Sequence, residues 1–172
     1  MSNIFQKPPY NYQNVIGIQN YADVNVSPVI QTGIVTTQPL QSIVLAANIF
    51  KQDGQLVEVF AGFTETGTGN KGFQITLNGT VIYTQQSMPS ANNAGDLLRT
   101  RIIRLTPTTI FCYSEISHGA TLAPATAGSP TVNANYISLA FDPAQPITLQ
   151  YNATIPTGGD TITQQFSVAF IS

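Results

Sequence analysis

Lys71–Gln85 reads KGFQITLNGTVIYTQ. Two short runs rich in β-branched and aromatic residues flank Asn78-Gly79. That pair suits a two-residue type I′ turn, in which both central residues need positive φ. The spacing predicts a hairpin in which Leu77 faces Thr80, Ile75 faces Ile82 and Phe73 faces Thr84. Phe73, Ile75, Leu77 and Ile82 then share one face, and Gln74, Thr76 and Tyr83 share the other. A hairpin with one apolar face needs a second apolar layer to cover it. The rest of the chain is read as that layer.

Upstream, Gln55–Phe63 alternates, with Val57, Val59, Ala61 and Phe63 on one face. Ser42–Phe50 is apolar on both sides, as a buried strand should be, and Gly33–Thr37 reads as a short strand closed by Pro39. Downstream, Leu97–Leu105 (LLRTRIIRL) puts Arg99 and Arg101 on one face and Arg104 on the other. Thr109–Ser117 aligns Ile110, Cys112, Ser114 and Ile116; Tyr136–Phe141 aligns Ile137, Leu139 and Phe141. Ile147–Ala153 presents Ile147, Leu149 and Tyr151, and Thr161–Ser172 presents Ile162, Phe166, Val168 and Phe170. Asp53-Gly54, Asp142-Pro143 and Gly158-Gly159-Asp160 supply turns. No convincing helical period competes with the period of two. Nine or ten strands of this kind predict an all-β fold: an antiparallel two-sheet β-sandwich of the jelly-roll type.

Residues 1–32 are different. Pro8-Pro9 and Pro28 disfavour helix, and the apolar residues have no clean period. This stretch reads as an extended N-terminal arm, with the sandwich domain over residues 33–172. The alternatives are a frayed tail and an arm that docks on a neighbouring subunit. Phe5, Tyr10, Tyr12 and Tyr21 favour docking, because aromatic side chains anchor interfaces.

The chain has 172 residues, enough for one domain with a proper core. Only 8% are charged, against about 25% in ordinary globular proteins. The net charge of −2 offers no footprint for nucleic acid. A surface so poor in charge lacks a usual barrier to association, which suggests that much of it lies against other protein chains. Cys112 is alone, so no intrachain disulfide forms, and it reads as a small buried hydrophobe. No secretion signal is evident, and no apolar run approaches the roughly 20 residues of a membrane helix. Synthesis and assembly in a cytoplasm are expected.

Residues that could carry chemistry are sparse. His118 is the single histidine, and no nucleophile-elbow pattern accompanies Ser114 or Ser117. Glu58 and Glu115, outward on separate strands, are the one plausible carboxylate pair for glycosidic chemistry. Gly67, Gly69 and Gly72 lack the GK[ST] ending of a phosphate loop, and a hairpin follows them instead of a helix. No calcium-loop pattern occurs. Three Asn-x-Ser/Thr matches, at Asn25, Asn78 and Asn152, are read as chance. No cofactor, metal or catalytic residue is expected. Arg99, Arg101 and Arg104 are half of the basic residues. Arg99 and Arg101 lie about 7 Å apart on one strand face. They either form a solvated face that guards against edge pairing or recognise carboxylates across a subunit interface.

With its low charge and the run FQITLNGTVIYTQ, the stretch Gln55–Ser117 resembles the small β-sandwich structural proteins of tailed-bacteriophage virions. These include head decoration proteins, head fibres and tail knobs. The resemblance implies a non-enzymatic virion protein that commonly forms trimers on the particle surface. Its partners would be the major capsid protein or other virion proteins, with no nucleic acid and no membrane. The expected role is capsid decoration through the N-terminal arm. The alternative is a receptor- or glycan-binding knob of a tail or fibre, using loops Glu65–Gly72, Gln86–Gly95 and Gly119–Pro130. No aromatic platform for a sugar stands in those loops.

Overall fold

Asn78 and Gly79 both have positive φ, 47° and 81°, so the turn at the centre of the hairpin is as expected. It joins β5 (Lys71–Leu77) to β6 (Thr80–Met88). The pairing departs from strict alternation two residues later. Leu77 faces Thr80 and Thr76 faces Val81, but Ile75 faces Tyr83, so Ile82 is an extra residue in a β-bulge. The bulge lets Ile82 and Tyr83 both enter the core, while Val81 is exposed. Tyr83, expected on the polar face, is therefore buried.

The molecule is a computed structural model that describes residues 20–33, 37–88, 95–119, 131–155 and 157–172. The other strands are β1 (Asn20–Asn25), β2 (Val29–Thr32), β3 (Gln38–Leu45), β4 (Leu56–Thr66), β7 (Gly95–Thr106), β8 (Thr109–Gly119), β9 (Thr131–Ala140), β10 (Ile147–Thr154) and β11 (Thr161–Ile171). They form the expected antiparallel two-sheet sandwich. The smaller sheet has the order β3-β10-β5-β6; the larger runs β1-β11-β4-β7-β8-β9, with β2 also on β11. A jelly roll divides eight strands between two Greek keys. Here the larger sheet has seven strands, three of them the meander β7-β8-β9.

Apolar side chains from both inner faces fill the space between the sheets. Phe63 of the larger sheet meets Phe73 and Tyr151 of the smaller edge-on, with centroids 5.1 and 6.0 Å away. The inward sets expected on β4, β8 and β10 are buried, Cys112 among them. Burial pushes the Cys112 thiol up to about 12, which leaves it an inert hydrophobe.

Three expectations are corrected. Ser42–Phe50 was expected to be one buried strand. Instead β3 ends at Leu45, lies at a sheet edge and leaves Val44 exposed. Asn48, at φ 55°, turns the chain, and its N–H donates to the Pro143 carbonyl at 2.6 Å. Pro39 lies within β3, where an edge strand tolerates its missing donor. The arm is expected to reach residue 32, but β1 (Asn20–Asn25) and β2 (Val29–Thr32) lie in the larger sheet. β2 pairs with the first half of β11 and β1 with the second, so the two form one interrupted strand. The interruption includes Pro28, and the Ser27 N–H donates to Asn25 Oδ1. The third correction concerns β11 and shapes the site described below.

The sheet edges meet through side chain to backbone hydrogen bonds. Gln31 Nε2 donates to the Pro39 carbonyl at 3.2 Å, and Asn135 Nδ2 donates to the Ile82 carbonyl at 2.9 Å. Each bond occupies a carbonyl on an edge strand of the smaller sheet, which lowers the risk of unwanted strand pairing.

Candidate interaction face

Strict alternation along β11 would put Ile162, Phe166, Val168 and Phe170 on one face. The pairing with β4 shifts between Gln164 and Phe166, leaving Gln165 as an extra residue. The bulge reverses the parity of everything that follows. Ile162, Gln164, Ser167 and Ala169 point into the core, whereas Phe166, Val168 and Phe170 stand on the outer face of the larger sheet. Phe166 is 36% exposed. Its ring lies on Gly62, where a Cβ would come within 2.2 Å of a ring carbon. Glycine at position 62 is what lets an aromatic ring lie flat there.

The register carries this face across the strands. One row runs Phe170, Glu58, Arg101, Tyr113 and Tyr136 across β11, β4, β7, β8 and β9. The next runs Val168, Phe60, Arg99 and Glu115. Cross-strand neighbours on one face touch, and these rows place two arginines between two glutamates and a set of rings.

Glu58 Oε1 accepts from Arg99 Nε at 2.6 Å and Arg101 Nε at 2.7 Å. Arg99 also reaches Glu115 Oε1 with Nη1 at 3.5 Å, and Tyr113 donates its hydroxyl proton to Glu115 Oε2 at 2.6 Å. The Arg99 guanidinium lies 5.3 Å from the Phe60 centroid and that of Arg101 lies 6.0 Å from the Tyr113 centroid. Phe60 packs edge-on against Phe170 at 6.0 Å, and Phe111 stacks with Tyr136 at 6.2 Å. Tyr136 is 70% exposed.

Burial raises the Glu58 carboxyl, but hydrogen bonds from Arg101 and Arg99 and their charges together outweigh it, leaving its pKa lowered. A carboxyl held ionised is ill suited to general-acid duty, which needs a raised value. Glu58 and Glu115, the pair singled out for glycosidic chemistry, are instead both held by Arg99. The Tyr113 hydroxyl is raised, chiefly because it donates to Glu115.

The structure thus brings Arg99 and Arg101 together and places Arg104 elsewhere. Arg104 Nε donates to Asp53 Oδ1 at 2.8 Å and its Nη1 to the Phe50 carbonyl at 3.1 Å, tying the β3–β4 connection to β7. The Tyr21 backbone, on β1, pairs with that of Phe170. Phe5, Tyr10 and Tyr12 lie outside the described residues. His118 pairs with Asp96 near the end of β8. Among the described residues no cluster of three or more His, Cys, Asp or Glu could hold a metal. Sequence reading missed Phe60, Phe166 and Phe170 as surface residues. The one signal for Phe166 was Gly62, a glycine inside a strand pattern, which marks a bulge or a close approach.

No family model matches the chain, and no curated protein is significantly similar to it. Among solved structures, one similar chain is the CBM2 module of the evolved Dit protein of Lactobacillus casei BL23 phage J-1. The identity is 9%, 75% of this chain and 67% of that one are covered, and the TM-score is 0.34. Dimeric latent PorU of Porphyromonas gingivalis is similar at 10% identity and TM-score 0.34, over 88% of this chain and 13% of that one. The structure of infectious bursal disease virus, Gx strain, is similar at 14% identity and TM-score 0.25, over 94% of this chain and 45% of that one. At these values the likeness reaches no further than β-rich architecture.

Proposed function

We propose that this protein is a non-enzymatic structural component of a virion: a capsid decoration or head-surface protein of tailed-phage type that self-associates, as a trimer, and docks on the major capsid protein. The observation that carries this reading is the outer face of the larger sheet. Arg, Tyr and Phe are the residue types that dominate protein interfaces. Here they form a continuous lattice on a chain whose charged content is only 8%. Arg99 and Arg101 are about one-third exposed beside half-buried rings, an arrangement that a partner surface can cover without leaving a bare charge. The smaller sheet lies on the opposite side of this sheet, so its strands leave the face open. The expected role of the arm falls to residues 1–19, since β1 and β2 belong to the larger sheet.

Light scattering and particle binding test the proposal together. Replacing Phe166 and Phe170 by Asp should convert an oligomer to a monomer with an unchanged β-type circular dichroism spectrum. The variant should also fail to decorate capsids. A wild-type chain that is monomeric and absent from purified particles by electron microscopy overturns the reading. Removing residues 1–19 should weaken capsid binding and leave the sandwich folded.

A further inference from the structure

Asp160 closes the Gly158-Gly159-Asp160 turn, where an aspartate is ordinary. Its surroundings are not. Its carboxylate is sunk against the backbone of the β4–β5 loop, where a Cβ on Gly67 would come within 1.7 Å of Oδ1 and one on Gly69 within 2.7 Å of Oδ2. The glycines in this stretch therefore cradle a carboxylate of the protein itself. The Gly69 N–H donates to Asp160 Oδ2 at 2.8 Å, and the Asp160 carbonyl accepts from the Gly33 N–H at 3.1 Å. On the same Oδ2, at 3.3 Å, sits Nζ of Lys71, a side chain with 0% exposure whose ammonium also donates to the Gly69 carbonyl at 3.1 Å. Glu65, fully buried on β4, pairs with Ile162 in the register, which puts it on the same inner face as Asp160 and diagonal to it.

An amine and a carboxyl held in contact, away from water, are in the arrangement that turns a slow bimolecular condensation into an intramolecular one. We infer that Lys71 and Asp160 join in an intramolecular amide bond that forms spontaneously after folding. The ammonium first gives up a proton, for which Glu65 is the nearby second carboxyl. The Nζ lone pair adds to Cγ of Asp160, with the Gly69 N–H positioned to stabilise the developing negative oxygen. The bond from Cγ to one carboxyl oxygen then breaks, and that oxygen leaves as water with two protons that began on Nζ. An ammonium and a carboxylate become one neutral amide and one water, with no oxidant or co-reactant. The bond links β5 of the smaller sheet to the residue before β11 of the larger, across 89 positions of sequence. It would staple the sandwich as a disulfide does, in a chain whose one cysteine cannot. It also removes two buried charges, which are costly to keep apart from water.

Intact mass of the full chain under denaturing conditions tests this. Wild type should be lighter than its sequence mass by one water. Trypsin should fail to cut after Lys71, leaving Gln52–Arg99 joined to Leu105–Ser172 in a branched peptide. Asp160→Asn should reach the same final mass as wild type, because ammonia leaves in place of water. Lys71→Arg should keep its full sequence mass, which separates the cross-link from a local imide at Asp160. A wild-type chain at its full sequence mass, cut normally after Lys71, overturns the inference and leaves an ion pair.

Discussion

Two clusters of paired acidic and basic residues belong to opposite faces of the larger sheet, and water reaches the basic groups of only one of them. On the outer face, Glu58 is held by Arg99 and Arg101, whose side chains are 30% and 35% exposed. On the inner side, Lys71 has no exposure, and Asp160 is 10% exposed, the same as Glu58. The residue chemistry is alike, and the consequences differ. An exposed pair gains little, because water solvates each partner when the pair is broken. A buried amine and carboxyl gain little on net as an ion pair, but whether they stay ionic or condense to an amide, removing the amine strands the carboxylate in the core. The outer cluster is therefore free to vary with its use at a surface, whereas the inner one is tied to the integrity of the fold.

Substituting the inner cation should have the greatest effect. Lys71→Met leaves the Asp160 carboxylate against the Gly67–Gly69 backbone with no amine to pair or condense with, at a cost of at least about 3 kcal/mol. Urea denaturation would read it, and a loss near that of a surface substitution would remove the distinction between the clusters. Glu58→Gln should cost about 1 kcal/mol, since the arginines turn to water and Glu115. Its pH dependence is more diagnostic. The folded Glu58 carboxyl lies below its ordinary value of 4.5, so the unfolded chain takes up the proton first as pH falls. The stability gap between wild type and Glu58→Gln should be full above that value and close as pH falls through the folded one; thermal melts across that range would show it. The smallest effect is expected from salt. At 1 M ionic strength the screening length falls to about 3 Å, which should trim the Glu58 contribution by a fraction of a kcal/mol and leave the penalty of Lys71→Met unchanged.

Asn78-Gly79 announced its turn because a backbone with two positive φ values restricts residue choice so strongly. Val57, Val59, Ala61 and Phe63 announced their face because alternation needs only the pleat. Tyr83 and Phe166 were misplaced for one reason: a single extra residue in a strand reverses every side chain beyond it, and no local residue type demands that insertion. Asp160 was read as a turn residue because its partners, Lys71 and the glycines of the neighbouring loop, are remote in sequence.

Paired strands, the principal turn at Asn78-Gly79 and the inward side chains of β4, β8 and β10 follow from the chain alone, since period and turn chemistry are local properties. That β1 and β2 extend the larger sheet, that Phe166 and Phe170 stand outside it and that Lys71 meets Asp160 in the core became visible only in the folded molecule. Those outcomes depend on strand register and on contacts between distant segments, which acquire their energies when the two sheets close on each other.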